Sequence, residues 1–273
     1  QMSFQLDTSN GIVLVLQAQP LEVNELLQFA FAHNPDIKMV IRSIDLFKAF
    51  EGKDDRDYPE DSYPSYLYDD KRLNDIRYLL NGETFADATV RVLIRTLLHK
   101  PSTTLDEYAN WNDEYPFGPQ GVQANYSRNK VVYTGNNDIS EEEYSRIEEN
   151  IRVNILAIAR EHPETMFYLY ISPYSIYFFD YVNQMGELDR YLKVEEFILK
   201  LLLGQENIKV FSFFTEYDVI SDPYHYRDVG HHDQEVNSMI LEWMKENRGE
   251  ITEENIEGFC NTVWEYYHQY PYD

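Results

Sequence analysis

Ser221 to Asn237 reads Ser-Asp-Pro-Tyr-His-Tyr-Arg-Asp-Val-Gly-His-His-Asp-Gln-Glu-Val-Asn, and no other window holds so many groups capable of acid–base or metal chemistry. It carries three of the chain's seven histidines, His225, His231 and His232, with three aspartates, Asp222, Asp228 and Asp233. Asp228 stands three residues before His231. On a turn, a carboxylate so placed can fix the imidazole tautomer and stabilise its cation, leaving the other ring nitrogen as a base. Asp222 and His225 repeat the spacing, so spacing alone does not choose between the pairs. Asp228 and His231 are preferred because a helix is expected just after them, from Asp233. His232 and Asp233 are then expected to be surface and helix-cap residues. Two other uses stand beside this one. The stretch could be a polar loop with a helix cap, or His225, Asp228, His231 and Asp233 could supply mixed N/O ligands to a metal. No His-Glu-x-x-His spacing occurs, and neither metal nor cofactor is expected.

The nucleophile such a pair would activate is less visible. The chain has no Gly-x-Ser-x-Gly elbow, no phosphate-binding glycine loop and no dinucleotide fingerprint. Ser9, in Asp-Thr-Ser-Asn-Gly, is the only serine near the start in a strand–turn setting, and a plain turn residue is its simpler reading. Cys260, the single cysteine, falls in an apolar helical pattern and reads as a small core residue.

Positioning these groups is the task of alternating strands and helices. Ile12–Leu16, Ile37–Ile41, Met166–Ile171 and Ile208–Phe214 are apolar or β-branched runs that read as strands buried on both faces. Met2–Leu6 is a shorter alternating stretch. Leu21–His33 has helical spacing, as do Lys71–Leu80 and Phe85–His99, the last with Val90, Leu93, Ile94 and Leu97 on one face. Ser140-Glu-Glu-Glu143 is a capping box opening a helix to about His162, with Ile147, Ile151, Ile155 and Ile158 as its core stripe. Helices are also expected over Leu188–Leu203, near Asp233–Lys245 and after Thr252. The pattern predicts a single α/β domain over residues 1–273. Its form would be three-layer α/β/α with a mostly parallel sheet of four to five strands, and long excursions at about 47–70 and 100–137. Ligands should meet the strand carboxyl ends, which makes Gln17, Asp45, Ser172 and Tyr174 pocket candidates.

A formal charge of −25 over 273 residues argues against nucleic-acid phosphates and against attachment to anionic lipid. It favours neutral or cationic small ligands. With 23 tyrosines and 15 phenylalanines the chain can bury a sizeable core.

The order of these pieces resembles the SGNH (GDSL-type) hydrolase superfamily, and within it a group of exported or membrane-anchored proteins of Gram-positive bacteria. The resemblance runs from Ile12 to the C-terminus. It rests on Met39-Val-Ile-Arg-Ser-Ile-Asp-Leu-Phe47, Tyr63-Pro-Ser-Tyr-Leu-Tyr-Asp69 with Asn74-Asp-Ile-Arg-Tyr-Leu-Leu-Asn81, Phe167-Tyr-Leu-Tyr-Ile-Ser-Pro-Tyr-Ser175, and Tyr226-Arg-Asp-Val-Gly-His-His232. It implies a flavodoxin-like sheet and hydrolysis or transfer of acyl esters, including those of cell-envelope glycans, outside the cytoplasm. It assigns Asp228 and His231 to the Asp-x-x-His pair that completes a serine triad. The serine itself, expected on a loop after a first strand, has no counterpart in the matched region, so it is expected upstream of Gln1, beside a membrane anchor, or at Ser9. The oxyanion-binding glycine and asparagine have no clear counterparts in Leu16–Gln19 or Ser43–Asp45. A catalytically silent binding or accessory protein of the same fold is the alternative.

Overall fold

The computed structural model describes residues 4–5, 11–15, 19–57, 66, 71, 73–74, 76–80, 82, 90–99, 116–128 and 135–272. The chain divides into two compact units, one of residues 1–55 and 114–273, the other of residues 56–113.

The first unit is α/β, built on a mixed sheet. Its strands are β1 (Phe4–Gln5), β2 (Ile12–Val15), β3 (Met39–Ile44), β4 (Met166–Ile171), β5 (Ile208–Ser212) and β6 (Glu250–Ile251), hydrogen-bonded in that order. β2 to β5 run parallel, with Ile12 opposite Met39, Met39 opposite Met166 and Phe167 opposite Ile208. β1 and β6 close the two edges antiparallel. This corrects the expected mostly parallel sheet of four to five strands. Only residues 6–11 join β1 to β2, whereas a parallel crossover needs about a dozen or more. β6 returns beside β5 through Gly249, whose φ of +76° and 2.9 Å approach of an added Cβ to the Ser212 carbonyl leave room only for glycine. The strand order also runs straight through, without the reversal of a flavodoxin-like sheet.

Alternate residues of one strand belong to different cores, as a period of two requires. Phe167, Leu169 and Ile171 of β4 join a large cluster with residues of α1 (Pro20–His33) and of α2 and α3, the two parts of the helix from Glu141 to Glu161. α4 (Ile176–Met185), α5 (Leu188–Leu202) and α7 (Ile256–Gln269) pack into the same cluster. Tyr170 of β4 instead joins Phe211, Phe213 and the Val236, Ile240, Trp243 and Met244 stripe of α6 (Gln234–Lys245).

The capping box is present, with Ser140 Oγ accepting from the Glu143 amide and the Glu143 carboxylate accepting from the Ser140 amide. The expected stripe Ile147, Ile151, Ile155, Ile158 is buried throughout. Between α2 (Glu141–Ile151) and α3 (Ala157–Glu161) the helix widens to π geometry over Arg152–Leu156. There the Asn154 backbone carbonyl accepts from buried Arg42 of β3 at 2.8 Å, while its side-chain Nδ2 donates to the Lys53 carbonyl at 2.9 Å. A widened turn serves here as a polar anchor between helix and sheet.

In the second unit, helical residues include Ile76–Leu79 and Arg91–Leu97. The Val90, Leu93, Ile94 and Leu97 face is present but exposed.

Candidate functional site

The Tyr226–His232 loop makes its own turn. Tyr226 and His232 form an antiparallel bridge, and the Arg227 amide donates to the His231 carbonyl at 3.2 Å. Asp228 Oδ1 accepts from the amides of Gly230 and His231 at 2.9 and 2.8 Å. An aspartate followed by residues able to fold back on its carboxylate produces this turn locally. The turn also brings the His231 ring onto the same carboxylate, with Nδ1 at 2.9 Å from Oδ1 and 2.8 Å from Oδ2.

An ionised carboxylate can only accept, so an Nδ1–H faces Asp228, and in the neutral imidazole this leaves the lone pair on Nε2. Burial pushes the Asp228 carboxyl up, but the hydrogen bond and charge of His231, with the two amides, outweigh it and hold its pKa below the ordinary value. Arg227 Nε adds positive charge 3.7 Å from Asp228 Oδ2. His231 remains 52% exposed, so the basic nitrogen can be reached.

Contacts distant in sequence hold the turn at the carboxyl end of β4. Buried Tyr226 donates its hydroxyl to the Pro173 carbonyl at 2.6 Å. Ser175 donates from both Oγ and its amide to the Val229 carbonyl, at 2.8 and 3.2 Å. Gly230 lies against Phe47 and Tyr174, where an added Cβ would stand 3.4 Å from the Phe47 ring.

Two of the expected pocket residues meet here. Tyr174, fully buried, donates to Asp45 Oδ1 at 2.8 Å and accepts from the Leu46 amide at 3.0 Å. The Phe47 amide also donates to Asp45 Oδ1, at 2.9 Å. Burial raises the Asp45 pKa above the ordinary value, against the opposing pull of these bonds and of the Lys48 and His231 charges. Ser172 is buried at the end of β4, and its hydroxyl takes no part in the hydrogen bonds of the pair. Gln17 and Ser9 lie outside the described residues. Tyr174→Phe should lower unfolding free energy by about 1–3 kcal/mol in urea titration, because it strips the Leu46 amide and Asp45 of a buried partner.

The competing pair separates. Asp222 spends Oδ1 on the Tyr224 amide at 2.9 Å as a cap. His225 Nδ1 turns instead to Asp233 Oδ2 at 3.1 Å, and Asp233 Oδ1 caps α6 through the Val236 amide at 2.9 Å. His232 is half-buried rather than a surface residue, and burial pushes its pKa down to about 4, leaving it neutral at physiological pH. The four-residue metal set is not assembled. Among the described residues, His225 and Asp233 converge with Glu235, their ligand atoms within 4.8 Å, while Asp228 and His231 form a separate pair. Burial pushes the Cys260 thiol up to about 12, which makes it a poor nucleophile.

Ser175, Tyr226, Arg227 and Phe47 are the residues that sequence patterning passes over, since each acts through a contact far away in the chain or through backbone. No family model, no curated protein and no solved structure matches this chain.

Proposed function

We propose that this chain is an SGNH-like esterase or acyltransferase acting on acyl esters, including those of cell-envelope glycans, with His231 as general base and Asp228 as its orienter. The Asp228–His231 hydrogen bonds carry this reading, because the turn that makes them leaves a reachable Nε2 with its lone pair. Such a nitrogen takes the proton of an attacking hydroxyl and returns it to the leaving group. Asp45 and Tyr174 would form the adjoining wall of the pocket. The nucleophile would be a serine outside the described residues. A three-layer α/β/α arrangement belongs to the same reading, supported by the division of β4 side chains between two cores. An extracytoplasmic location, a membrane anchor upstream and the lack of nucleic-acid partners go with it.

A silent binding protein of the same fold is the second reading. It is favoured by one observation: among the described residues no serine hydroxyl hydrogen-bonds to His231.

A fluorophosphonate probe separates the two, since it bonds covalently to an activated serine and not to an ordinary one. Intact-mass analysis should show a single adduct on the full chain, placed on a serine by peptide mapping and lost in His231→Ala. An unmodified protein would leave only the binding reading.

A further inference from the structure

β3 carries one charged residue, Arg42, and the alternation of the strand turns it to the face of Val40 and Ile44, into the large core. It is 3% exposed. A guanidinium offers five N–H donors. One of its nitrogens donates to the Asn154 carbonyl at 2.8 Å and another to the Pro20 carbonyl at 3.3 Å. Among the described residues no carboxylate pairs with it. Burial lowers its pKa to about 9, which still leaves it charged at neutral pH. A buried charge is costly unless it is paired as well as hydrogen-bonded. A chain of formal charge −25 is not short of acids for the purpose, yet two neutral carbonyls hold this cation.

Arg42 lines a cavity of about 20 Å³ together with Pro20, Asp45, Lys48, Ala49, Asn150 and isoleucines of the core. That volume holds one sphere the size of a water and little more. Its walls are positive on balance. Lys48 adds a second cation, and Pro20 is the first residue of α1, whose amino end carries the positive pole of the helix. Asp45 is the one acid among the described lining residues. Its Oδ1 already accepts from the Tyr174 hydroxyl and the Phe47 amide, and the charge of Lys48 acts on it.

We propose that this cavity is a binding site for one monatomic anion, chloride in size and charge, held by Arg42 and the amino end of α1. The anion supplies the counter-charge that the protein does not, and it ties β3 to α1 and to the widened turn at Asn154. The cavity is too small for the carboxylate or phosphate of a larger ligand, so the site is one of stability and not of substrate binding. It owes nothing to acyl-ester chemistry and stands or falls apart from it.

The test compares melting of the purified full chain in sodium chloride and in sodium gluconate at one ionic strength, about 0.2 M, because gluconate is too large to enter. Chloride should raise the wild-type midpoint by roughly 3 °C or more over gluconate, saturating with concentration. The wild type should also broaden the chloride NMR line. Ala49→Val keeps the guanidinium but narrows the cavity, and it should lose both effects. General salt effects act on both proteins alike, so the difference between them isolates the site. Arg42→Gln should lose both effects as well; should it fail to fold, Ala49→Val still decides. Equal chloride dependence in wild type and Ala49→Val overturns the proposal, as does a wild type that neither gains stability from chloride nor broadens its line. Either result would leave the cavity to a water molecule.

Discussion

Alanine at His231 is expected to cut acyl-ester turnover by roughly 10³-fold, within the 10²–10⁴ range of a lost general base. Nδ1 rests on both oxygens of Asp228, so the ring is oriented before substrate arrives and Nε2 alone is left for chemistry. Asp228→Asn should approach the same loss by another route. An amide NH₂ facing Nδ1 would donate to it, moving the imidazole proton to Nε2 and removing the base. Neither change should unfold the protein, because His231 is half-exposed and an asparagine oxygen can still accept the Gly230 and His231 amides. His225→Ala is the matched control. That ring serves Asp233, and turnover should stay within about twofold, since no proton of the reaction is routed through it. Short acyl esters assayed with the four proteins decide the matter, and equal turnover by wild type and His231→Ala would end the assignment.

Two things made the pair readable and two kept it ambiguous. Its turn is local, so Asp-x-x-His at the right place in an α/β pattern already contains the geometry that Asp228 adopts. The same local pattern occurs at Asp222, and what separates them is not local. Tyr226 reaching Pro173 and Ser175 reaching Val229 each span more than fifty residues, and these bonds seat the second turn rather than the first at the end of β4. The central strands were legible as apolar runs, and β4 shows why such runs arise, since its side chains divide between two cores. Edge strands of two residues leave no such trace, and the antiparallel β6 depends on a glycine turn against Ser212. Periodicity likewise located the apolar arc of Val90 to Leu97 without saying what, if anything, covers it. A hydrophobic stripe states which side of a helix is apolar; its burial is a property of the neighbours.

Glutamine at Glu195 is expected to stabilise the protein by on the order of 3–5 kcal/mol at mildly alkaline pH, and to do so less and less as pH falls. Glu195 lies on α5, 1% exposed, with the Ser212 hydroxyl donating to it from the end of β5. Burial lifts its pKa from the ordinary 4.5 to about 8, more than the Ser212 bond lowers it. The sign follows from proton counts. Between pH 4.5 and 8 the folded protein keeps this proton while the unfolded chain has released it, so raising pH favours unfolding. The stability available below the unfolded pKa is therefore lost progressively as pH rises towards the folded pKa, and is gone above it. Glutamine is neutral at every pH, fits the same space and can still accept from Ser212, so it removes the slope without opening a cavity. Urea unfolding at about pH 4.5, 6.5 and 8.5 should show the two proteins converging at the acid end and diverging steadily upward. Parallel curves would mean that Glu195 is ionised in the fold. The carboxylate would then need a compensating cation, and the Ser212 hydroxyl cannot supply one.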